Sequence, residues 1–252
     1  KVLGFDPYRV ATYKDRDLRQ QVALMRAKAR SEAEALLNSR KSAVYYKYMD
    51  GSQVAMAGHI ASNGRYVKGI EDDVPIAQYE RDEHRQMVVE DIADNWLRLS
   101  HNGKFHAIFA TSSIVEAIEY YRMFKNAMPE LKITALFDPT IDNMGNAAYK
   151  EDALAEIIAD YNQRYGQSFT VPTHDKFKKD VGNRLAHKKA YIAVGKSPEK
   201  QLDLLIVVDQ MLTGFDSKWL NTLYLDKLLE YENIIQAFSR TNRLFGPDKP
   251  FG

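Results

Sequence analysis

The sequence predicts an α/β protein built on an open parallel sheet with helices on both faces. From residue 105 onward, short apolar runs alternate with longer amphipathic stretches, and the run at 202–208 is almost entirely aliphatic. Alternating strands and helices indicate a parallel sheet. A strand that is aliphatic along its length is typical of a sheet covered on both faces.

Each element of this region follows from its local pattern. Ser113 and Glu116 form a capping box, which begins a helix. Its helical period places five residues inward: Ile114, Ala117, Ile118, Tyr121 and Phe124. The apolar runs predict strands at 105–110, 133–137, 202–208 and 222–225, and the helical periods predict helices at 147–165, 174–188 and 232–242.

The first part of the chain is predicted to be a helical extension over residues 1–85, leading into an α/β domain over 86–252. A helix over 18–37 is expected to bury Val22, Met25, Ala29, Ala33 and Leu36. A second helix over 83–99 is expected to bury Val88, Ile92, Trp96 and Leu99. Asp50-Gly51 and Asn63-Gly64 predict turns.

Residues 138–200 are expected to be a helical insertion. Because the chain begins at Lys1 rather than Met, we expect it to be a piece of a longer protein.

Composition restricts the possible functions. The chain has 252 residues, of which 45% are hydrophobic and 27% are charged, with a formal net charge of +1. A nucleic-acid contact would therefore be a local patch rather than a property of the whole surface. No cysteine is present, and the six histidines lack the paired spacing of a zinc site, so no metal site is predicted. No apolar run is long enough to span a membrane, and no export signal is present, so we expect a cytoplasmic protein.

Polar residues follow three of the predicted strands. Thr111 and Ser112 follow the first strand, and 209–216, with Thr213, Gly214 and Asp216, follows the aliphatic run. Ligands of open parallel sheets collect at the carboxyl ends of the strands. We therefore expect these polar residues to line one binding edge.

The third polar segment is the octet 236–243. On a helix, Gln236, Arg240 and Arg243 fall within an arc of roughly 60°, whereas Phe238 points the opposite way. Two arginines one turn apart form a charged clamp suited to phosphate oxygens. The alternative interpretation of the octet alone is a surface helix with two solvated arginines.

The order and amino-acid sequences of these segments resemble those of the second RecA-like lobe of superfamily 2 helicases and translocases. Residues 109–113 resemble motif IV, 205–216 resemble motif V, and 236–243 resemble motif VI. The sequences at 208–216, 223–227 and 236–243 are similar to those of the motor subunit of type I restriction endonucleases. Ser239 departs from the wider superfamily, in which many members place glycine before the first arginine of motif VI.

The resemblance implies a nucleotide site shared with a first RecA-like lobe. ATP would sit between the lobes, and the Mg²⁺ ligands would lie on the first lobe. Arg243 is the expected finger toward the γ-phosphate, Arg240 its neighbour, and Gln236 the residue that orders them. Gly214 and Asp216 would bind the nucleotide. Because this chain would hold half of the site, we expect it to be inactive alone.

The resemblance also implies the partners. Thr111, Ser112 and Thr213 would grip the phosphate backbone of double-stranded DNA without reading its bases. Methyltransferase and specificity subunits are further expected partners, the latter reading the DNA site. The expected enzyme is an ATP-dependent DNA translocase of a type I restriction complex.

Three other patterns imitate active sites but lack the required context. Gly195-Lys196-Ser197 ends like a phosphate-binding loop, yet Ala190 stands where that loop needs glycine. The 82–84 stretch reads like a magnesium-binding box, but no aliphatic strand precedes it, so the start of an exposed helix is predicted. The 130–132 stretch has a nuclease-like Glu-x-Lys form, and Lys132 is predicted simply to enter a strand.

Two alternatives stay open at this point. Instead of the restriction translocase, the chain would be a non-catalytic nucleic-acid-binding α/β module, whose arginines only hold phosphates, or the second lobe of another superfamily 2 repair or remodelling helicase. The first alternative predicts DNA affinity that falls steeply with salt and ignores nucleotide.

Overall fold

A computed structural model describes residues 15–74, 81–140, 146–208, 217–226 and 245. The described residues fall into two compact units, one before Val89 and one from Val89 onward. Within the described residues, no helix combines the length and apolar character needed to cross a bilayer.

The N-terminal unit is a small helical cluster with one hairpin. Its elements are α1 Asp15–Arg26, α2 Glu32–Leu36, α3 Ser39–Met49, and the antiparallel strands β1 His59–Ile60 and β2 Tyr66–Val67. Two groups of buried residues hold it together, one around Leu18 and Ile70 and one around Ala23 and Tyr45. The predicted turns at 50–51 and 63–64 are confirmed, the second as the loop of the hairpin.

The single helix predicted over 18–37 is wrong, because the chain forms α1 and α2 with a break between them. Lys28 adopts a left-handed conformation with φ 51°, and the amide of Ala29 donates to the Leu24 carbonyl at 3.0 Å, which ends α1. Ser31 then caps α2 by accepting from the amide of Glu34 at 3.2 Å. Two of the expected inward residues are exposed, Met25 by 53% and Leu36 by 44%, whereas α1 buries Leu18, Val22 and Ala23.

The C-terminal unit contains a parallel sheet, as predicted. Its strands are β3 His106–Thr111, β4 Ile133–Leu136, β5 Leu204–Val208 and β6 Leu220–Asp226. Their order is β4-β5-β3-β6, and every neighbouring pair is parallel. Every residue of β3 and β5 is buried, so the prediction of a covered aliphatic strand at 202–208 is confirmed.

Helices flank this sheet where the sequence predicts them. They are α4 Asp82–Leu99, α5 Ile114–Ala127, α6 Ala147–Tyr165 and α7 His174–Leu185. Ser113 caps α5 by accepting from the amide of Glu116 at 3.1 Å, and all five residues predicted to face inward are buried. α7 ends before the predicted Lys188, because His187 takes a left-handed φ of 50° and closes the helix as Lys28 closes α1.

A buried arginine holds the helical insertion to the start of β5. Arg184, on α7, donates from Nε to the Tyr161 hydroxyl at 2.8 Å, from Nη1 to the Lys200 carbonyl at 2.6 Å, and from Nη2 to the Tyr191 hydroxyl at 3.0 Å. Its guanidinium lies 3.7 Å from the centre of the Tyr165 ring. One side chain thus joins α6, α7 and the turns over 189–200.

A second contact, between Lys132 and Asp203, fixes the register of β4, which precedes most of the helical insertion, beside β5, which follows it. The Lys132 ammonium lies 2.7 Å from the Asp203 carboxylate, and the Lys132 amide donates to the same oxygen at 3.0 Å. The Asp203 amide returns a bond to the Lys132 carbonyl at 2.8 Å. Burial raises the pKa of Asp203 although the Lys132 contacts act to lower it. The entries to β4 and β5 are therefore locked side by side, and Lys132 enters a strand as predicted.

We expect Arg184→Met to destabilise the chain by about 3 kcal/mol, because methionine keeps the apolar stem but leaves buried acceptors without a donor. Chemical denaturation of the purified chain measures this. Arg164→Ala, which removes an exposed arginine of α6, is the matched control and is expected to cost less than about 0.5 kcal/mol. Equal stability of the two variants would contradict this role for Arg184.

Candidate functional site

The carboxyl edge of the sheet is the candidate functional site, because the three strands that precede the polar segments in the sequence all end there. Thr111, the last residue of β3, is paired with Val208 at the end of β5 and with Asp226 at the end of β6. The segments that begin at 112, 209 and 227 therefore start from one edge. This is the edge at which open parallel sheets bind ligands.

Thr111 is buried at this edge, and its hydroxyl is engaged within the protein. The hydroxyl oxygen lies 3.2 Å from the Ser113 carbonyl and 3.3 Å from the Val207 carbonyl, and its single proton is directed at these acceptors. This geometry ties the end of β3 to β5 and to the turn that begins α5. Contact of Thr111 with DNA stays a prediction.

Ser112 is the exposed hydroxyl at the same edge. It directly precedes Ser113, the cap of α5, so it lies at the amino end of a helix of 14 residues. The unpaired amides and the dipole at a helix start favour negative charge. Ser112 is thus the described residue of this edge best suited to contact a phosphate oxygen.

A tyrosine of α5 supports the end of β6. The Tyr120 hydroxyl donates to the Asp226 carboxylate, and the Tyr120 ring packs edge-on against Phe109 of β3 with centroids 4.6 Å apart. Tyr120 is fully buried. α5 therefore holds β3 and the end of β6 together.

The other predicted site residues lie outside the described residues. These are Thr213, Gly214, Asp216, Gln236, Arg240 and Arg243. The roles expected for them, and for ATP and Mg²⁺, stay predictions. Within the described part of the chain, no group of three or more His, Cys, Asp or Glu side chains is arranged to hold a metal ion.

Two imitations of active sites are resolved as structural features. Asp82-Glu83-His84 begins the helix α4, as predicted, rather than following a strand. Gly195-Lys196-Ser197 lies in a short turn with 3₁₀ geometry over 194–196, not between a strand and a helix. Neither stretch therefore has the strand context that such a nucleotide or metal motif requires.

Sequence reasoning missed a buried histidine pair at the opposite, amino edge of the sheet. His106, the first residue of β3, and His187, just after α7, have their Nε2 atoms 2.6 Å apart, so one ring donates and the other accepts. The His187 ring stacks on Trp219 with centroids 4.1 Å apart. The histidines are 81 positions apart in the chain, so no local sequence pattern indicates that they form a pair.

Burial keeps both rings of the His106–His187 pair neutral. Desolvation is the main cause that lowers the pKa of His106 to about 3, with repulsion from His187 and Lys132 adding to it. Desolvation likewise lowers the pKa of His187 to about 4, with a smaller effect from Lys218. The pair is therefore a structural feature that opposes protonation.

Together, the four-stranded parallel sheet and its flanking helices define the class of this protein as α/β with a RecA-like fold. The family model for domain 3 of the type I restriction enzyme subunit R matches residues 103–252. The chain belongs to this family.

Curated relatives agree with this assignment. The type I restriction enzyme SauMRSORF196P endonuclease subunit of Staphylococcus aureus (strain MRSA252) is 36% identical over 179 residues, covering 68% of this chain and 18% of that protein. The SsaAORF53P endonuclease subunit of Staphylococcus saprophyticus is 34% identical over 180 residues, with the same coverage of each chain. The putative MjaVIIP endonuclease subunit of Methanocaldococcus jannaschii is 53% identical over 99 residues, 39% of this chain and 9% of that protein. The chain thus spans 18% of the length of the two staphylococcal relatives.

The His106–His187 pair predicts a pH dependence of stability. Between about pH 6.5 and about pH 4, the unfolded chain binds protons that the folded pair excludes, so the free energy of unfolding falls as the pH falls through this window. Above pH 6.5 the contribution is fully present. We expect His187→Gln, which removes one of the two titrating rings, to make this fall shallower, as measured by urea denaturation at pH 7.5 and pH 4.5.

The matched control is His59→Gln, which replaces an exposed histidine of β1 and is expected to keep the original pH dependence. If His187→Gln and the unaltered chain lost the same stability between the two pH values, the neutral state of the pair would not be the cause.

Proposed function

We propose that this chain is the second motor lobe of an ATP-dependent DNA translocase within a type I restriction endonuclease complex. The observation that carries the proposal is the common carboxyl edge of the sheet. Thr111, Val208 and Asp226 end their strands in register, so the chain leaves all three strands, at 112, 209 and 227, from the same edge. Membership in the subunit R family favours a restriction complex over a separate repair or remodelling helicase.

DNA contact is proposed to centre on Ser112. Its exposed hydroxyl and the start of α5 offer a neutral donor and a positive dipole end to a phosphate oxygen. Such contacts hold the backbone without reading bases, which suits a protein that moves along DNA. Thr213 is proposed as a second hydroxyl contact, since its segment follows β5. Thr111 is proposed to act at the same edge, with its buried hydroxyl holding the turn that presents Ser112.

The nucleotide site is proposed to be shared with a first RecA-like lobe of the same subunit. Gly214 and Asp216 would hold the nucleotide, while Gln236 would order Arg240 and Arg243 beside the phosphates. ATP with Mg²⁺ supplies the free energy for movement when bound, and its Mg²⁺ ligands are proposed to lie on the first lobe. The arginines would neutralise charge that develops on the phosphoryl group.

The proposed setting follows from the same reasoning. Double-stranded DNA is the proposed substrate of translocation, and methyltransferase and specificity subunits are the proposed protein partners. Cytoplasmic residence is proposed because the DNA partner is found there. A non-catalytic nucleic-acid-binding module would share the DNA contact but would show no dependence of DNA affinity on nucleotide.

We expect Arg243→Ala in the intact subunit to lower DNA-stimulated ATP turnover by roughly 10³- to 10⁵-fold while ATP binding is retained, because a finger acts mainly on the transition state. Steady-state ATPase assays and nucleotide-binding titrations measure the two effects. Arg98→Ala, which removes an exposed arginine of α4, is the control and is expected to keep turnover. Loss of ATP binding together with turnover would instead indicate a structural role for Arg243.

A second prediction concerns Ser112. We expect Ser112→Asp in the intact subunit to weaken DNA binding about tenfold, because the new carboxylate repels a phosphate. Folding should be unaffected, since a carboxylate is favourable near the start of α5. Filter binding at fixed salt measures affinity, and thermal unfolding measures stability. Unchanged DNA affinity would remove Ser112 from the proposed DNA contact.

A further inference from the structure

A cleft of about 1060 Å³ opens at the amino edge of the sheet, opposite the edge that carries Ser112. We define this amino-edge cleft by the end of α4, the residues before β4, and the turns over 192–198. Lys132, Asp203 and Trp219, which immediately precede or enter their strands, line it. A ligand in this cleft would leave the carboxyl edge uncovered.

The amino-edge cleft presents apolar side chains to solvent. Leu97, at the end of α4, is 65% exposed, and Ile192, in the turns after α7, is 75% exposed. Met128 and Leu131 add further apolar lining between them. Two large aliphatic side chains left exposed at one concave site are typical of a surface that another molecule covers.

The cleft and its adjoining turns carry more positive than negative charge. The lining holds Lys104, Lys132 and Lys196 against Glu130 and Asp203, and Lys132 is paired with Asp203. The adjoining turns add three exposed lysines, Lys188, Lys189 and Lys200, against one exposed glutamate, Glu199. Since the whole chain has a net charge of only +1, this concentration is local.

We propose that the amino-edge cleft docks an acidic amphipathic helix of a partner protein. The apolar face of such a helix would cover Leu97 and Ile192, and its flanking carboxylates would meet Lys196 and the lysines of the adjoining turns. Duplex DNA offers the negative charge but no apolar face for the exposed aliphatic side chains. A second copy of this chain would bring one positive rim against another. The proposal does not depend on the motor function, because it uses the opposite edge of the sheet.

The cleft carries its own spectroscopic reporter. The chain has two tryptophans, and both Trp96 and Trp219 line the cleft. Intrinsic tryptophan fluorescence therefore reports on this site without a label. A peptide that lacks tryptophan and tyrosine can be titrated directly.

The test titrates the chain with a synthetic peptide of about four helical turns, with leucines at i, i+3, i+4 and i+7 and glutamates on the flanks. We expect a saturable change in tryptophan fluorescence. The same peptide with lysines in place of the glutamates is expected to give no saturable change. Lys196→Glu should raise the Kd of the acidic peptide about tenfold, because attraction becomes repulsion.

The matched control is Lys176→Glu, which makes the same charge change at an exposed position of α7 outside the cleft, and its Kd should stay within about twofold. Three results would overturn the proposal: no saturable binding of the acidic peptide, equal binding of the lysine peptide, or an unchanged Kd for Lys196→Glu. Competition of duplex DNA with the peptide, lost in Lys196→Glu, would assign the cleft to nucleic acid instead. Concentration-dependent dimerisation that blocks the peptide would assign it to a second copy.

Discussion

The parallel pairing of β4, β5, β3 and β6 determines where each segment of the C-terminal unit leaves the sheet. The register places Thr111 beside Val208 and Asp226, so strands that are far apart in the chain end at one edge. Because side chains alternate along a strand, a slip of one residue would turn buried residues outward, which fixes the register strongly when both faces are covered. At the amino edge, the Lys132–Asp203 contact secures the register of β4 beside β5.

The two edges of this sheet have different chemistry. At the carboxyl edge, Ser112 and the start of α5 offer neutral donors and a helix dipole, which suit weak contacts with a phosphate backbone. At the amino edge, exposed aliphatic side chains and lysines such as Lys196 surround a concave site, which suits a protein ligand. Under the two proposals, the C-terminal unit acts on DNA at one edge and is held by a partner at the other.

Much of the fold could be predicted because strong local signals agree with the tertiary structure. The α6 helix has the predicted bounds, 147–165, and the capping box of Ser113 forms as expected. The prediction of a single helix over 18–37 failed because α1 ends at a left-handed Lys28. Composition does not indicate this conformation, and it is disfavoured for a residue other than glycine. Apolar periodicity continued across that break and so concealed it. Met25 lies before the break and is exposed because α1 buries Leu18, Val22 and Ala23 instead.

The site was predictable where it depends on strand ends and less so where it depends on tertiary contacts. The pattern placed Thr111 and Ser112 together at the end of a strand, but it could not separate a hydroxyl bonded to the Val207 carbonyl from an exposed one. The amino-edge cleft and the His106–His187 pair join segments that are distant in the chain, so no local motif marks them.

The most direct test of the account is an experimental structure of the intact subunit with a non-hydrolysable ATP analogue and DNA. The account predicts Arg240 and Arg243 against the nucleotide phosphates and Ser112 against the DNA backbone, all beyond the carboxyl ends of the strands; arginines remote from the nucleotide, with DNA on another face, would contradict it.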